Sequence, residues 1–69
     1  MELTELQRAV IAHKVAFPDE WIANAVATGF ESEVYRIARE YEAEYLAAKD
    51  DPNYKTAAVR YAEEMARMV

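Results

Sequence analysis

Apolar side chains recur along this chain at intervals of three and four residues, the spacing that places them on one face of an α-helix. No segment alternates convincingly between apolar and polar residues, as a half-exposed β-strand would. The strong helix breakers are Pro18, Gly29 and Pro52, and they divide the chain into four helical segments. The pattern therefore predicts an all-α fold, a compact bundle of about four helices, two short or medium and two longer, forming a single domain over residues 1–69.

The first segment has a recognisable helix start. Thr4 and Gln7 have the spacing of a capping box, so a first helix is predicted from about Glu5 to Ala16. Its apolar stripe consists of Leu3, Leu6, Val10 and Phe17, widened by Ile11 and Val15.

The second predicted helix is short and ends near Thr28. Pro18 suits its first turn, where a backbone N–H is not needed, and Gly29 supplies the left-handed residue after the helix. Phe30 is then placed for the apolar contact that often follows such a cap. Its apolar face consists of Trp21, Ile22, Ala25 and Val26.

The third and fourth predicted helices are longer. Ser32 is the expected N-cap of a helix over residues 33–49, with an inner stripe of Val34, Ile37, Ala38, Tyr41, Tyr45 and Ala48. Asp51 and Pro52 are expected as the N-cap and the first residue of the fourth helix. That helix has the cleanest amphipathic stripe in the chain, formed by Tyr54, Ala58, Tyr61, Met65 and Met68.

Length and composition limit the stability and the setting of this fold. The chain has 69 residues, near the size at which a hydrophobic core barely offsets the entropy of ordering the backbone. We therefore expect modest stability, or stability gained from a second copy or a partner. The absence of cysteine excludes a disulfide framework and suggests a reducing compartment. The N-terminus lacks the pattern of a signal peptide and no segment has the length of a membrane span, so a cytoplasmic protein without membrane contact is expected.

Charge is the feature that suggests a function. Residues 19–51 contain nine carboxylates and three cationic side chains, a net charge of −6 in a chain whose total is −5. We expect this acidic surface to bind, and to inhibit or modulate, a basic partner protein that otherwise contacts nucleic acid, by imitating a row of phosphates. The expected partner-binding carboxylates are Glu31, Glu33, Glu40, Glu42, Glu44, Asp50 and Asp51. Tyr35 and Leu46 are the expected apolar anchors, unless they pack against another helix.

Catalysis, cofactor binding and metal binding lack a supporting motif. His13 is the one histidine, and Ala9 and Phe17 occupy the positions four residues before and after it. Without a cysteine, a second histidine or a nearby carboxylate, His13 is expected to have a packed or half-exposed structural role. We accordingly expect a non-enzymatic protein that holds no cofactor and no metal.

Two alternative functions stay open. Ala25, Gly29, Phe30 and Ala38 have spacings that resemble a helix-turn-helix, which implies a small DNA-binding regulator with Arg36 and Arg39 facing DNA. The acidic balance argues against such direct nucleic-acid binding, because Lys and Arg supply most of the affinity for phosphates. The other alternative is a structural or assembly subunit that forms a homodimer through the stripe of Tyr54, Tyr61, Met65 and Met68.

Overall fold

Five α-helices make up the chain in a computed structural model that describes residues 1–68; Val69 lies outside the described residues. The helices are α1 (Glu5–Lys14), α2 (Pro18–Ala27), α3 (Glu31–Glu40), α4 (Glu42–Ala48) and α5 (Ala57–Arg67). No β-strand occurs within residues 1–68, so the predicted all-α class is confirmed. The number of helices differs from the predicted four because the third predicted helix is divided in two.

The start of α1 follows the prediction. Gln7 N–H donates to Thr4 Oγ1 at 3.0 Å and Thr4 N–H donates to Gln7 Oε1 at 2.9 Å, which completes the capping box. The helix ends at Lys14, two residues before the predicted Ala16. It ends there because Val15 adopts an extended conformation, with φ −122° and ψ 126°.

The link between α2 and α3 is a Schellman motif centred on Gly29. Gly29 has φ 80°, a left-handed conformation that glycine adopts without steric cost, as predicted. Phe30 N–H donates to the Ala25 carbonyl at 2.8 Å, and Gly29 N–H donates to the Val26 carbonyl at 3.3 Å. Phe30 remains 62% exposed, so the contact predicted for its side chain buries little of it.

The predicted single helix over residues 33–49 is wrong. Helix α3 begins at Glu31, before the predicted cap Ser32, and Tyr41 separates it from α4 with φ −102° and ψ 8°. The residues around the bend include no glycine or proline, so we attribute the bend to tertiary contacts of Tyr41. The ammonium of Lys14 lies 4.5 Å from the centre of the Tyr41 ring, and the bend brings α4 against α1.

The predicted helix start at Asp51 and Pro52 is also wrong. Asp51 Oδ1 accepts a hydrogen bond from Asn53 N–H at 2.8 Å, and the Asp51 carbonyl accepts one from Tyr54 N–H at 2.9 Å. These bonds form a turn with Pro52 at its second position, a place that proline favours as much as the first turn of a helix. Helix α5 starts five residues later than Pro52, at Ala57, and Thr56 is its N-cap.

The apolar core lies between α1, α2 and α3. Val10, Ile11 and Val34 are fully buried, and Ala25 and Ala38 are nearly so. The partly buried side chains of Leu3, Val15, Trp21 and Ile22 pack against the cluster that Ile11, Ala25, Val34 and Ala38 form. Leu6 and Phe17, which the sequence placed in the stripe of α1, are 38% and 54% exposed. Neither α4 nor α5 contributes a buried residue, so the apolar core belongs to the first three helices.

Candidate interaction surfaces

The acidic stretch lies at the surface of the fold. Of the nine carboxylates in residues 19–51, eight are exposed and Glu33 is half-buried. Five of them have a cation within 4 Å, and the other four have none among residues 1–68. Those four are Glu20, Glu31, Glu42 and Asp51. Most of the negative charge of residues 19–51 therefore faces solvent.

Arg36 occupies the middle of the acidic side of α3 and binds two of the predicted site carboxylates. Its guanidinium forms ion pairs with Glu33 and with Glu40, at helical spacings of three and four residues. The hydrogen bond from Arg36 lowers the pKa of Glu33. Glu33 and Glu40 are thus brought together around one cation, which cancels part of their charge.

Glu44 has a different environment, because residues of α1 bind it. Glu44 Oε2 lies 2.8 Å from His13 Nε2 and 3.0 Å from Lys14 Nζ. The hydrogen bond from Lys14, followed by the one from His13, lowers the pKa of the Glu44 carboxyl. This carboxylate therefore helps to hold α4 on α1, in addition to any role at the surface.

His13 is the centre of a polar and aromatic cluster that was not predicted from the sequence. The ring is buried, with 8% of the residue exposed, and Nδ1 lies 3.0 Å from the Tyr54 hydroxyl. Tyr54 stacks on the imidazole at 5.6 Å between ring centres, and Tyr45 meets it edge-on at 6.0 Å. Arg60 donates a hydrogen bond to the His13 carbonyl. The cluster, defined as His13, Glu44, Tyr45, Tyr54 and Arg60, joins α1, α4, the turn and α5.

Both ring nitrogens of His13 have a hydrogen-bond partner within the cluster. With Nε2 protonated, His13 donates to Glu44, and Nδ1 accepts from the Tyr54 hydroxyl. Burial raises the pKa of Tyr54, which favours its neutral, donating form. No group of three or more His, Cys, Asp or Glu side chains in residues 1–68 has the arrangement of a metal site. The partners of His13 lie 31 and 41 residues away in the chain, so neighbouring positions carried no signal for them.

The two predicted anchors differ in their surroundings. Tyr35 is half-buried, and its hydroxyl donates to the Glu2 carbonyl at 3.1 Å. Leu46 is 43% exposed on α4, one helical turn after Glu42. The bend at Tyr41 interrupts the single helix on which the predicted Tyr35 and Leu46 face depended. Of the residues in that predicted face, Glu42 and Leu46 still lie one turn apart on the same helix, α4.

The last two predicted carboxylates lie in the connection after α4. Asp50 is exposed, and its Oδ1 lies 3.4 Å from Lys49 Nζ. Asp51 is exposed as well, and one of its oxygens accepts the turn hydrogen bond from Asn53. Asp51 therefore shapes the turn and also leaves negative charge at the surface.

An exposed apolar surface lies on α5 and at its C-cap, outside the predicted acidic site, and it includes Tyr61, Met65 and Met68 of the stripe named for the homodimer alternative. Val59, Tyr61 and Met65 are each 45% exposed, and Met68 is 77% exposed. Phe17 extends this surface, since its ring meets Tyr61 edge-on at 5.2 Å between centres. The sequence did mark the amphipathic stripe of α5, but periodicity cannot tell whether such a stripe is covered.

The helix-turn-helix alternative can be compared with α2 and α3. The two helices meet at Gly29 as that motif requires. The helix that would read DNA begins at Glu31, however, and Arg36, one of its two cations, is already paired with Glu33 and Glu40. Within the described residues no helix is long and apolar enough to cross a bilayer. Comparisons with models of protein families, with curated proteins and with solved structures gave no match.

Proposed function

We propose that this protein is a non-enzymatic interaction module that binds a basic partner protein through the acidic surface of residues 19–51, and that it thereby blocks or modulates the partner's contact with nucleic acid. The observation that carries this proposal is the exposure of eight of the nine carboxylates in that stretch. Exposed like charges on a small fold oppose its compaction, and a cationic partner relieves that repulsion.

The carboxylates of the proposed surface differ in whether they already form ion pairs within the protein. Glu31 and Glu42 are exposed, have no cation within 4 Å in residues 1–68, and are available to a partner without loss of an internal ion pair. Glu44, in contrast, bonds to His13 and Lys14, so a partner would compete with the fold for it. Complementary charge of this kind accelerates association and fixes orientation more than it adds affinity.

Leu46 supplies the apolar contact of the proposed surface. It is exposed on the same short helix as Glu42 and lies one turn away from it, so an apolar side chain is bordered by a carboxylate. An apolar centre with a charged rim is the usual composition of a protein interface. Tyr35 contributes less in this proposal, because its hydroxyl already bonds to the N-terminal segment.

The experiment compares capture of host proteins by the immobilised chain and by the double variant Glu31→Gln and Glu42→Gln. We expect the captured proteins to be basic, to be released by duplex DNA and by salt, and to be reduced in the double variant. The control is Glu2→Gln with Glu5→Gln, which removes two exposed carboxylates from the N-terminal segment and should leave capture unchanged.

Two results would contradict the proposal. Capture that is equal in the Glu31 and Glu42 variant would show that these carboxylates do not bind the partner. A gel-shift titration in which the isolated chain binds mixed duplex DNA, with affinity that falls steeply with salt, would favour the DNA-binding alternative instead.

A further inference from the structure

Helix α5 is held by few contacts with the rest of the protein. Every residue from Ala58 to Met68 is exposed, so no side chain of the helix is buried along that length. The helix is held against α1 and the residues that follow α1 by the Arg60 hydrogen bond to the His13 carbonyl and by the Tyr61 ring, which meets the Phe17 ring edge-on at 5.2 Å. The Lys55–Glu63 ion pair at 2.7 Å ties the helix only to the connection before it. An isolated helix of 11 residues is marginal in water, so α5 would gain stability from further burial.

The whole molecule exposes more surface than a compact monomer of its mass. Its accessible surface is 5066 Å² for 7.9 kDa. The size scaling of compact monomers gives about 4,400 Å² at this mass, an excess of roughly 600 Å². Each partner of a standard protein interface contributes about 800 Å². The excess is therefore close to the area that one stable contact would cover.

The sequence of α5 has the pattern of a helix that pairs with another helix. Ala58, Tyr61, Met65 and Met68 follow one another at spacings of three, four and three residues, the seam of a two-stranded coiled coil. Val59, Ala62 and Ala66 widen one side of this seam with small apolar side chains. The opposite side carries Arg60, Glu64 and Arg67, in which the sign of the charge alternates.

Charge selects a second copy of this chain as the occupant. The side chains Arg60, Glu63, Glu64 and Arg67 sum to zero, so α5 is a neutral helix in a chain of net charge −5. Two acidic copies therefore repel each other less at α5 than at the acidic helices α2, α3 and α4.

From these observations we infer that the protein forms a homodimer in which the α5 helices of two copies pack on each other through Ala58, Tyr61, Met65 and Met68. This inference is independent of the proposed acidic surface, which lies on other helices. Dimerisation would leave residues 19–51 of both copies exposed, so that one dimer presents two acidic surfaces.

Sedimentation velocity over a range of concentrations tests the dimer, with Met65→Glu and Leu46→Glu as matched variants. The two side chains are 45% and 43% exposed, and each substitution adds one negative charge to a helix. We expect concentration-dependent association in the natural chain and in Leu46→Glu, and at least a tenfold weaker association in Met65→Glu. A natural chain that stays monomeric at millimolar concentration, or equal loss in both variants, would overturn the inference.

Discussion

The two halves of this small protein are stabilised by different forces. Helices α1, α2 and α3 share an apolar core in which Val10, Ile11 and Val34 are fully buried. Helices α4 and α5 bury no residue and are attached through the cluster around His13, the Lys14–Glu44 ion pair and the contact between the Phe17 and Tyr61 rings. Amphipathic periodicity alone therefore does not place a helix in a core, because α5 has as clear a stripe as any helix in the chain.

The difference also separates the functional proposals in space. The acidic surface lies largely on α2, α3, α4 and the connection after α4, where the core and Glu44 fix its helices. The apolar surface lies on α5, where no side chain from Ala58 to Met68 is buried. The two proposals therefore concern different parts of the molecule and can be tested separately.

Truncation of a core residue should produce the largest effect. Ile11→Ala removes a fully buried side chain and should lower the free energy of unfolding by about 2–5 kcal/mol, measured by urea titration with Trp21 fluorescence as the probe. The matched change Met65→Ala on α5, made at a concentration where the chain is monomeric, should change it by less than about 0.5 kcal/mol. Equal costs at the two positions would mean that α5 belongs to the same core.

Loss of the Tyr54 hydroxyl should have an intermediate effect. Tyr54→Phe keeps the ring that stacks on His13 and removes the hydrogen bond to Nδ1, so the unfolding free energy should fall by about 1 kcal/mol. Near-ultraviolet circular dichroism of the tyrosines should change, while Trp21 fluorescence of the native state should not. Tyr61→Phe, which removes an exposed hydroxyl, is the control, and an equal loss there would contradict a specific role for the cluster.

Removal of the two threonine caps should have different consequences, one for the stability of the whole fold and the other for α5 alone. Thr4→Ala removes the capping box of α1, whose residues enter the core, and should lower global stability by roughly 0.5–2 kcal/mol. Thr56→Ala removes the hydrogen bond to Val59 N–H at the start of α5 and should reduce only the helix content of α5. Circular dichroism and the urea midpoint of Trp21 fluorescence distinguish the two outcomes, and a shifted midpoint in Thr56→Ala would count against the separation.

The smallest predicted effect is a pH dependence from Glu44. Lys14 and His13 lower the pKa of this carboxyl in the folded protein from 4.5, so its ion pairs stabilise the fold above that pH. The contribution is then lost as the pH falls through the lowered pKa. Glu44→Gln should flatten the fall in stability below pH 4.5, as measured by urea midpoints, whereas Glu42→Gln in the same helix should leave that slope closer to the natural one. Identical slopes in both variants would contradict the role assigned to Glu44.

Features coded by neighbouring residues were predictable from the sequence. The capping box of Thr4 and Gln7, the left-handed Gly29 and the all-α class depend on spacings of a few residues, and they are confirmed. Asp51 and Pro52 were ambiguous, because the same pair suits a helix start and a turn, and the turn formed. Local sequence could not settle that choice.

Features that depend on distant contacts were not predictable. The bend at Tyr41 has no local cause and arises where α4 meets α1. The partners of His13 come from α4 and from the turn before α5, so a search of neighbouring positions missed them. For the candidate site, the carboxylates and Leu46 stay a prediction from sequence, which could not foresee that Glu44 would bond to α1 or that Arg36 would hold both Glu33 and Glu40.

Native-state hydrogen exchange, resolved by residue in dilute monomer, tests the division of the molecule most directly. Amides of Ile11 and Val34, in the helices that enclose the core, should exchange only by global unfolding. Amides in the second half of α5, near Met65, should exchange by a local opening with a much smaller free energy. Equal protection of α5 and of the core helices under these conditions would contradict the claim that α5 lies outside the core.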